Sequence, residues 1–278
     1  MRVSVVVPVY NEENGIEHCL NSLANQEFDD FEIVVVDDGS TDKTFEVLSN
    51  LRSSIFNLRI YKMKHQGAGA ARNLGASRAH GEVLVFVDAD MTFEPGFIKN
   101  LTCPIFEKWT AGTNTSSEFV GNWDNVWARC WNYNEGISSN VRYKKNVATE
   151  RVFRAIRKKD FLSVGGFDPG GYTDDYSLSS KLGFLPLVID DAVIYHQNPE
   201  KLSEVFFHAK WVSKRSYKYG VLGIIYTFLK LNLLISFAVG VFKTVKYKEA
   251  RFLVFKIVYD FGAALGVVEY FVLKRGYK

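Results

Sequence analysis

The chain has 278 residues, 47% hydrophobic and 23% charged, which excludes a disordered, collagenous or coiled-coil protein and leaves ample material for a buried core. A formal charge of +3 argues against a dedicated nucleic-acid binder, so no nucleic-acid partner is expected. The average hides an asymmetry: residues 1–209 carry 21 Lys and Arg against 28 Asp and Glu, a net of −7, whereas residues 210–278 carry 13 against 3, a net of +10.

Four short runs rich in β-branched residues, at 3–7, 33–36, 58–61 and 83–87, have the continuous apolar character of strands buried on both faces. Helical patterns over 13–25, 42–51 and 69–79 lie between them. This alternation predicts βαβ units and a mostly parallel sheet with helices on both faces. Ligands bind such sheets at the carboxyl ends of the strands, so the loops after Val7, Val36, Tyr61 and Val87 are the places to look. Beyond 101 the rhythm is lost. Residues 109–146 are rich in Trp, Asn, Ser and Gly, and Trp109, Trp123, Trp127 and Trp131 suit either a hydrophobic core or an aromatic platform for a sugar. The α/β pattern returns with a strand over 149–156, helices near 159–164 and 175–182, and a strand pair around 187–196. From Lys201 onward the chain reads as helical.

The loop after the first strand reads Pro8-Val9-Tyr10-Asn11-Glu12, and that after the second reads Asp37-Asp38-Gly39-Ser40-Thr41-Asp42. By itself the second is a turn followed by a helix N-cap. The third loop contains Gly67-Ala68-Gly69-Ala70-Ala71-Arg72-Asn73. Arg72 stands in place of the last glycine of a dinucleotide fingerprint, and the motif does not follow the first strand, which argues against that assignment. A Gly-rich helix start at Gly67 with Arg72 inside it still suits a phosphate group. The fourth strand ends in Val87-Asp88-Ala89-Asp90. Two carboxylates so spaced are either a solvated turn or oxygen ligands for a hard cation such as Mg²⁺ or Mn²⁺.

In this order and at this spacing, the four segments resemble the family-two inverting glycosyltransferases of GT-A fold. Val164-Gly165-Gly166-Phe167-Asp168 and Thr173-Asp174-Asp175-Tyr176-Ser177-Leu178 continue the likeness, which covers roughly residues 1–200. The resemblance implies a GT-A catalytic domain over 1–209 and a helical appendage over 210–278. It implies transfer of one sugar from a nucleotide-diphosphate donor, most commonly UDP-linked, to a hydroxyl on a glycan or lipid-linked acceptor. Pro8, Tyr10, Glu12 and Asp38 would surround base and ribose, with Asp38 accepting a hydrogen bond from a base N–H, while Asp88 would hold the ribose and Asp90 a divalent metal, Mn or Mg. His196 would complete the metal shell, or is simply a strand-end histidine meeting water. Asp175 would be the general base, with Asp174 as the alternative because Asp stands there where Glu is usual. Ser177 replaces a further common Asp.

Such a transfer is an in-line displacement that needs one base on the acceptor side and a metal on the leaving diphosphate. A polyprenyl-phosphate acceptor, already ionised, would need no base. A non-catalytic nucleotide-sugar-binding protein or membrane scaffold is the reading from another class. Processive synthases resembling this family carry Gln-x-x-Arg-Trp. Residues 207–211 read Phe-His-Ala-Lys-Trp, which favours a single sugar per acceptor. His65 and His80 are expected at the surface, with no role.

Cys19, Cys103 and Cys130 fit no metal-ligand spacing and suggest a reducing compartment. The opening apolar run is too short for a secretory signal, so the chain is expected in the cytosol or on the cytoplasmic side of the cell membrane. Residues 221–242 contain one charge, Lys230, and are numerous enough to cross a bilayer. Residues 252–273 contain Lys256, Asp260 and Glu269, which makes crossing costly. Basic clusters precede, separate and follow the two stretches, and two crossings would leave the middle cluster outside. Peripheral or re-entrant docking on an anionic membrane surface is therefore expected, with a soluble helical subdomain or oligomer interface as the alternative.

Overall fold

The computed structural model describes residues 2–142, 150–168, 174–214 and 220–272. Along the chain run β1 (Val3–Val9), α1 (Ile16–Ala24), β2 (Phe31–Asp37), α2 (Thr44–Leu51), β3 (Leu58–Lys62), α3 (Ala68–Arg78), β4 (Val83–Phe86) and β5 (Met91–Phe93). Next come α4 (Phe97–Phe106), β6 (Gly112–Thr115), β7 (Glu118–Val120), α5 (Val126–Asn134), β8 (Ala155–Arg157), α6 (Lys158–Ser163), α7 (Asp174–Leu182), β9 (Leu187–Ile189) and β10 (Ile194–His196). Four helices close the chain: α8 (Leu202–Val212), α9 (Gly220–Lys230), α10 (Leu233–Tyr247) and α11 (Phe252–Val272). Two compact units result, Met1–Phe119 with Lys144–His196, and Val120–Tyr143 with Gln197–Lys278. The expected division at 209/210 falls inside α8, and the Trp-rich segment belongs largely to the second unit.

The first unit is built on a seven-stranded sheet of order β3-β2-β1-β4-β8-β6-β9. Its pairings are parallel except those of β8, which runs antiparallel to β4 and β6. The pleat sends alternate residues to opposite faces. Val3, Val5, Val7 and Val9 meet Ile16 and Leu20 of α1 and Phe97 and Leu101 of α4, whereas Val6, Val34 and Phe86 meet Ala76 of α3, Phe161 and Phe167. Each buried Val or Leu contributes roughly 1.5–3 kcal/mol, so both faces are strongly specified. Helix α3 lies close on the sheet because a Cβ at Gly75 would overlap Val6 Cγ1.

The strand pair expected around 187–196 is not one. β9 pairs in parallel with β6, while β10 pairs antiparallel with β5 in a separate three-stranded sheet of order β5-β10-β7. The segment without visible sheet rhythm also contains a strand. β6 is Gly-Thr-Asn-Thr yet wholly buried, and Thr113 Oγ1 satisfies itself by donating to Leu101 O at 2.6 Å. Its polarity conceals its burial.

In the second unit Cys130 and Trp131 of α5, Val205 of α8, and Phe252 and Phe255 of α11 form the core. Trp109, by contrast, is 72% exposed, so the tryptophans divide between core and surface. The apolar stretch 221–242 is not one helix. Asn232 interrupts it and caps α10 by accepting from Leu234 N at 2.9 Å. The charges of α11 are paired within the unit: Lys256 with Asp260 at 2.7 Å, and Glu269 with Lys210 and Lys214 at 2.5 and 2.7 Å. Among the described residues no helix is long and apolar enough to cross a membrane. All three cysteines are free.

Candidate active site

The carboxyl ends of β1, β2 and β4 meet at one edge of the large sheet, and two of their loops are stitched together. Asn11, held at φ 55°, receives Thr41 N on Oδ1 at 2.8 Å and gives its own N–H to Ser40 Oγ at 3.0 Å. Glu12 N donates to Thr44 Oγ1 at 2.8 Å, and Lys43 N donates to Glu13 Oε2 at 2.9 Å. The Asp37–Asp42 segment is thus the turn its composition predicts and one wall of the site, but the N-cap of α2 is Lys43, which makes no side-chain cap bond.

Asp38 is 2% exposed. Its Oδ1 accepts from Gln66 N and its Oδ2 from Gly67 N, each at 2.8 Å, and His65 Nδ1 lies 2.8 Å from Oδ2. Gly67 holds φ 98° and caps α3, a conformation that its missing Cβ permits. The His65 ring stacks on Tyr10, with centroids 4.1 Å apart and planes 20° from parallel. His65 is exposed, as expected, yet its ring contacts both Asp38 and Tyr10 at the candidate site. Its adjacency to the Gly67 loop was the only sequence signal. His80 is largely exposed, as expected, although its ring lies 3.4 Å from Glu32.

Arg72 is 5% exposed and turned back onto the sheet edge, donating to Asp88 Oδ1 at 2.6 Å. Arg154, which immediately precedes β8, lies 3.4 Å from Asp88 Oδ2 and 3.5 Å from Glu118 Oε1. Burial alone would raise the Asp88 carboxyl, but the two guanidinium groups outweigh it and hold the group down at about 2. Glu12 is pushed up to about 8 by burial and by the carboxylates of Asp90, Asp42 and Asp88.

The small sheet brings the remaining groups together. His196 pairs in register with Met91, the residue after Asp90, while Ile194 N donates to Ser117 O beside Glu118. His196 therefore stands between two carboxylates, with Nδ1 4.0 Å from Asp90 Oδ2 and Nε2 3.5 Å from Glu118 Oε2. Burial would lower its pKa, but those carboxylates outweigh burial and raise it. Sequence reasoning missed Glu118 and Arg154. One lies on a three-residue strand with no readable period, and the other opens an apolar run as an ordinary flanking cation.

At the third corner Asn73 of α3 accepts from Phe167 N and donates to Phe167 O, both at 2.9 Å. Lys181 of α7 binds Gly166 O at 2.8 Å and Asp168 at 2.6 Å. This fastens the Gly166-Phe167-Asp168 turn to α3 and α7. The backbone of Asp174 and Asp175 opens α7, but their side chains, like residues 169–173, lie outside the described residues.

The family model for glycosyl transferase family 2 matches residues 4–165. The chain belongs to glycosyl transferase family 2. Family members similar to it include the putative glycosyltransferase EpsH of Bacillus subtilis, 37% identical over 99 residues, which is 36% of this chain and 29% of EpsH. The poly(ribitol-phosphate) beta-N-acetylglucosaminyltransferase TarS of Staphylococcus aureus is 44% identical over 94 residues, 32% of this chain and 16% of TarS. The match thus spans under a third of these curated relatives. Among solved structures, S. aureus TarS 1-349 in complex with UDP-GlcNAc gives a TM-score of 0.60 at 19% identity, over 100% of this chain and 93% of that one. The mannosyltransferase PcManGT from Pyrobaculum calidifontis, in complex with GDP-Man and Mn²⁺, gives 0.55 at 18% identity over 94% and 86%. The family's α/β fold, expected from the motifs, is the one observed.

For this family-two chain, the residues present fit a divalent cation through two protein donors. Both ring nitrogens of His196 are buried without a well-formed hydrogen bond. Two donors each ~2.1 Å from one hard cation lie at most about 4.2 Å apart. The 4.0 Å between Asp90 Oδ2 and His196 Nδ1 falls within that limit. Asp88, engaged by two arginines, is not in the same position to serve. Among the described residues no group of three or more His, Cys, Asp or Glu is assembled as a complete metal site, so diphosphate oxygens or water would have to complete the shell.

Proposed function

We propose that the chain is an inverting glycosyltransferase, moving one sugar from a UDP-linked donor to an acceptor hydroxyl on a glycan or lipid-linked molecule. The observation carrying this reading is the gathering of Asp38, Asp88 and the Asp90–His196 pair on one sheet edge in a family-two chain. UDP-GlcNAc and UDP in the solved TarS complexes favour a uridine donor.

The Tyr10–His65 stack offers an aromatic face to the base. Asp38, its oxygens already committed to the 65–67 backbone and ring, holds that loop in shape beside it. Asp88, kept ionised by Arg72 and Arg154, is an acceptor for the ribose. A bound Mn²⁺ or Mg²⁺ on Asp90 and His196 would supply Lewis-acid neutralisation of the leaving diphosphate. Asp175, or Asp174 beside it, takes the acceptor proton. The acceptor oxygen then bonds to the anomeric carbon as its bond to the diphosphate breaks on the opposite face, inverting the centre.

The test is nucleotide release from a panel of UDP- and GDP-sugars with Mn²⁺ and candidate acceptors. A base contributes about 10²–10⁴-fold, so Asp175→Asn should lose that much transfer while keeping UDP affinity. Undiminished transfer in both Asp174→Asn and Asp175→Asn would favour an ionised polyprenyl-phosphate acceptor. UDP-sugar binding without release under any condition would favour the non-catalytic reading.

The second unit supports peripheral attachment to an anionic membrane on its cytoplasmic side. Residues 205–248 contain eight Lys or Arg and no Asp or Glu. Leu222 and Leu229 of α9 and Leu233, Leu234 and Phe242 of α10 are each more than 60% exposed. These helices are ~17 and ~23 Å long at 1.5 Å per residue, short of a ~30 Å hydrocarbon core, which favours lying in the interface over crossing. The full chain should float with phosphatidylglycerol vesicles and not with phosphatidylcholine vesicles. Equal flotation of a Leu229→Glu, Leu234→Glu variant would refute this attachment.

A further inference from the structure

The three-stranded sheet places a carboxylate on each side of its central histidine, and the one on the Glu118 side has no role in the reading above. We propose that Glu118 is a positioning residue that fixes the His196 ring and the Asp88 carboxylate from behind. This role rests on the sugar-transfer reading above.

Glu118 is 1% exposed. A carboxylate taken fully out of water costs several kcal/mol unless it is paired, so its partners indicate what it is retained for. They are two. Oε2 stands 3.5 Å from His196 Nε2, which leaves Nδ1 as the nitrogen turned toward Asp90 Oδ2. A ligating imidazole ordinarily gives its other ring N–H to a carboxylate, which sets tautomer and ring orientation and strengthens the ligand. Oε1 stands 3.5 Å from Arg154 Nη2, whose Nη1 is 3.4 Å from Asp88 Oδ2. Arg72 holds the opposite Asp88 oxygen at 2.6 Å.

One buried carboxylate is thus tied to both halves of the Asp88-Ala89-Asp90 segment: through Arg154 to Asp88, and through His196 to the face of Asp90. The backbone fixes the arrangement. β10 is the central strand, Asp90 directly precedes one neighbour, and Glu118 is the first residue of the other. Arg154 arrives separately from the large sheet, where Phe86 N donates to its carbonyl at 2.8 Å. The 3.5 Å separations are longer than a formed hydrogen bond, as is common where a site tightens only around its ligands.

Glu118→Gln in the full chain tests this. Free Mn²⁺ is read by electron paramagnetic resonance in the presence of UDP, and UDP affinity is measured separately by titration calorimetry in EDTA. Loss of a carboxylate behind a ligating histidine costs about 10–100-fold in metal affinity, and that weakening is expected for Mn²⁺. Metal-free UDP affinity should change far less, a split that a merely structural defect would not produce. Mn²⁺ affinity within twofold of the unsubstituted chain would overturn the proposal and leave the sugar-transfer reading standing. Mn²⁺ ignored by the unsubstituted chain itself would overturn both. Should Glu118→Gln fail to fold, Glu118→Asp carries the test. It keeps the charge but withdraws it by one methylene, and a loss at the lower end of the same range is expected. Unchanged Mn²⁺ affinity in that variant is equally decisive against the role.

Discussion

Asp38→Asn replaces a buried carboxylate by an amide of the same shape, so its effect isolates one oxygen. Asp38 accepts Gln66 N–H on one oxygen and Gly67 N–H on the other, and His65 shares the second. An amide has a single acceptor. Oriented toward Gly67 and His65, it keeps two contacts and turns its NH₂ against Gln66 N–H. The opposite orientation gives up the acceptor for Gly67 N–H instead. Either way one N–H of a partly buried hydrogen bond is left unsatisfied beside a side chain that is 2% exposed. An unsatisfied buried donor costs about 1–3 kcal/mol, and the kept bonds weaken on losing the charge, so about 2–3 kcal/mol of stability should go. Urea unfolding followed by circular dichroism reads the loss as a lower midpoint at unchanged slope. Calorimetric UDP titration should show roughly tenfold or greater weakening, because the displaced loop carries His65 and the Tyr10 stack. A stability change under ~0.5 kcal/mol, with UDP affinity intact, would refute the view that Asp38 organises this loop.

Glu32 makes a second test, since Ser4 Oγ at 2.7 Å, Arg59 at 2.8 Å and His80 N at 2.5 Å converge on its buried carboxylate. Burial would raise its pKa, but these donors outweigh it and lower it. Its stabilisation is therefore full above the ordinary Glu value of about 4.5 and is lost as pH falls through the lower folded value. Glu32→Gln should cost about 2 kcal/mol at pH 7, with the gap to the unsubstituted chain closing in acid, and a pH-independent gap would contradict the pairing. Gly75→Ala, whose added Cβ would overlap Val6 beneath α3, should lower stability by about 1–3 kcal/mol in thermal unfolding. Tyr10→Ala removes the ring stacked 4.1 Å from His65 and should weaken UDP by about 1–2 kcal/mol in calorimetry, with the unfolding midpoint nearly unmoved.

What could be read from the sequence follows from how each residue is buried. β1, β2 and β4 announce themselves because strands buried on both faces are apolar at nearly every position, whereas the half-buried edge strand β3 shows only as a short β-branched run. The edge loops follow once the strands are known, and Asp38, Gly67, Asp88 and Asp90 fall where the parallel sheet puts them. β6 is silent for the opposite reason: its Thr and Asn are polar yet buried, so composition gives no hint. Three-residue strands such as β7 and β10 are too short to show a period, which hid Glu118. The pairing of β10 with β5 joins residues about a hundred positions apart, and no local pattern could separate it from the neighbouring β9. In the tail, length and hydropathy suggested a span where one asparagine, capping α10, makes two helices.

The second unit takes its core from two distant parts of the chain. Trp131 of α5 clusters locally with Cys130, but the core is completed only by Val205, Phe252 and Phe255. On the ribosome the segment 120–143 must therefore emerge, be passed over while the large sheet closes around β8 and β9, and stay unburied until α11 is made. During that interval a tryptophan-bearing helix is open to solvent. Chaperone engagement should concentrate on α5 in that window, and chains stalled before α11 should be the ones that aggregate.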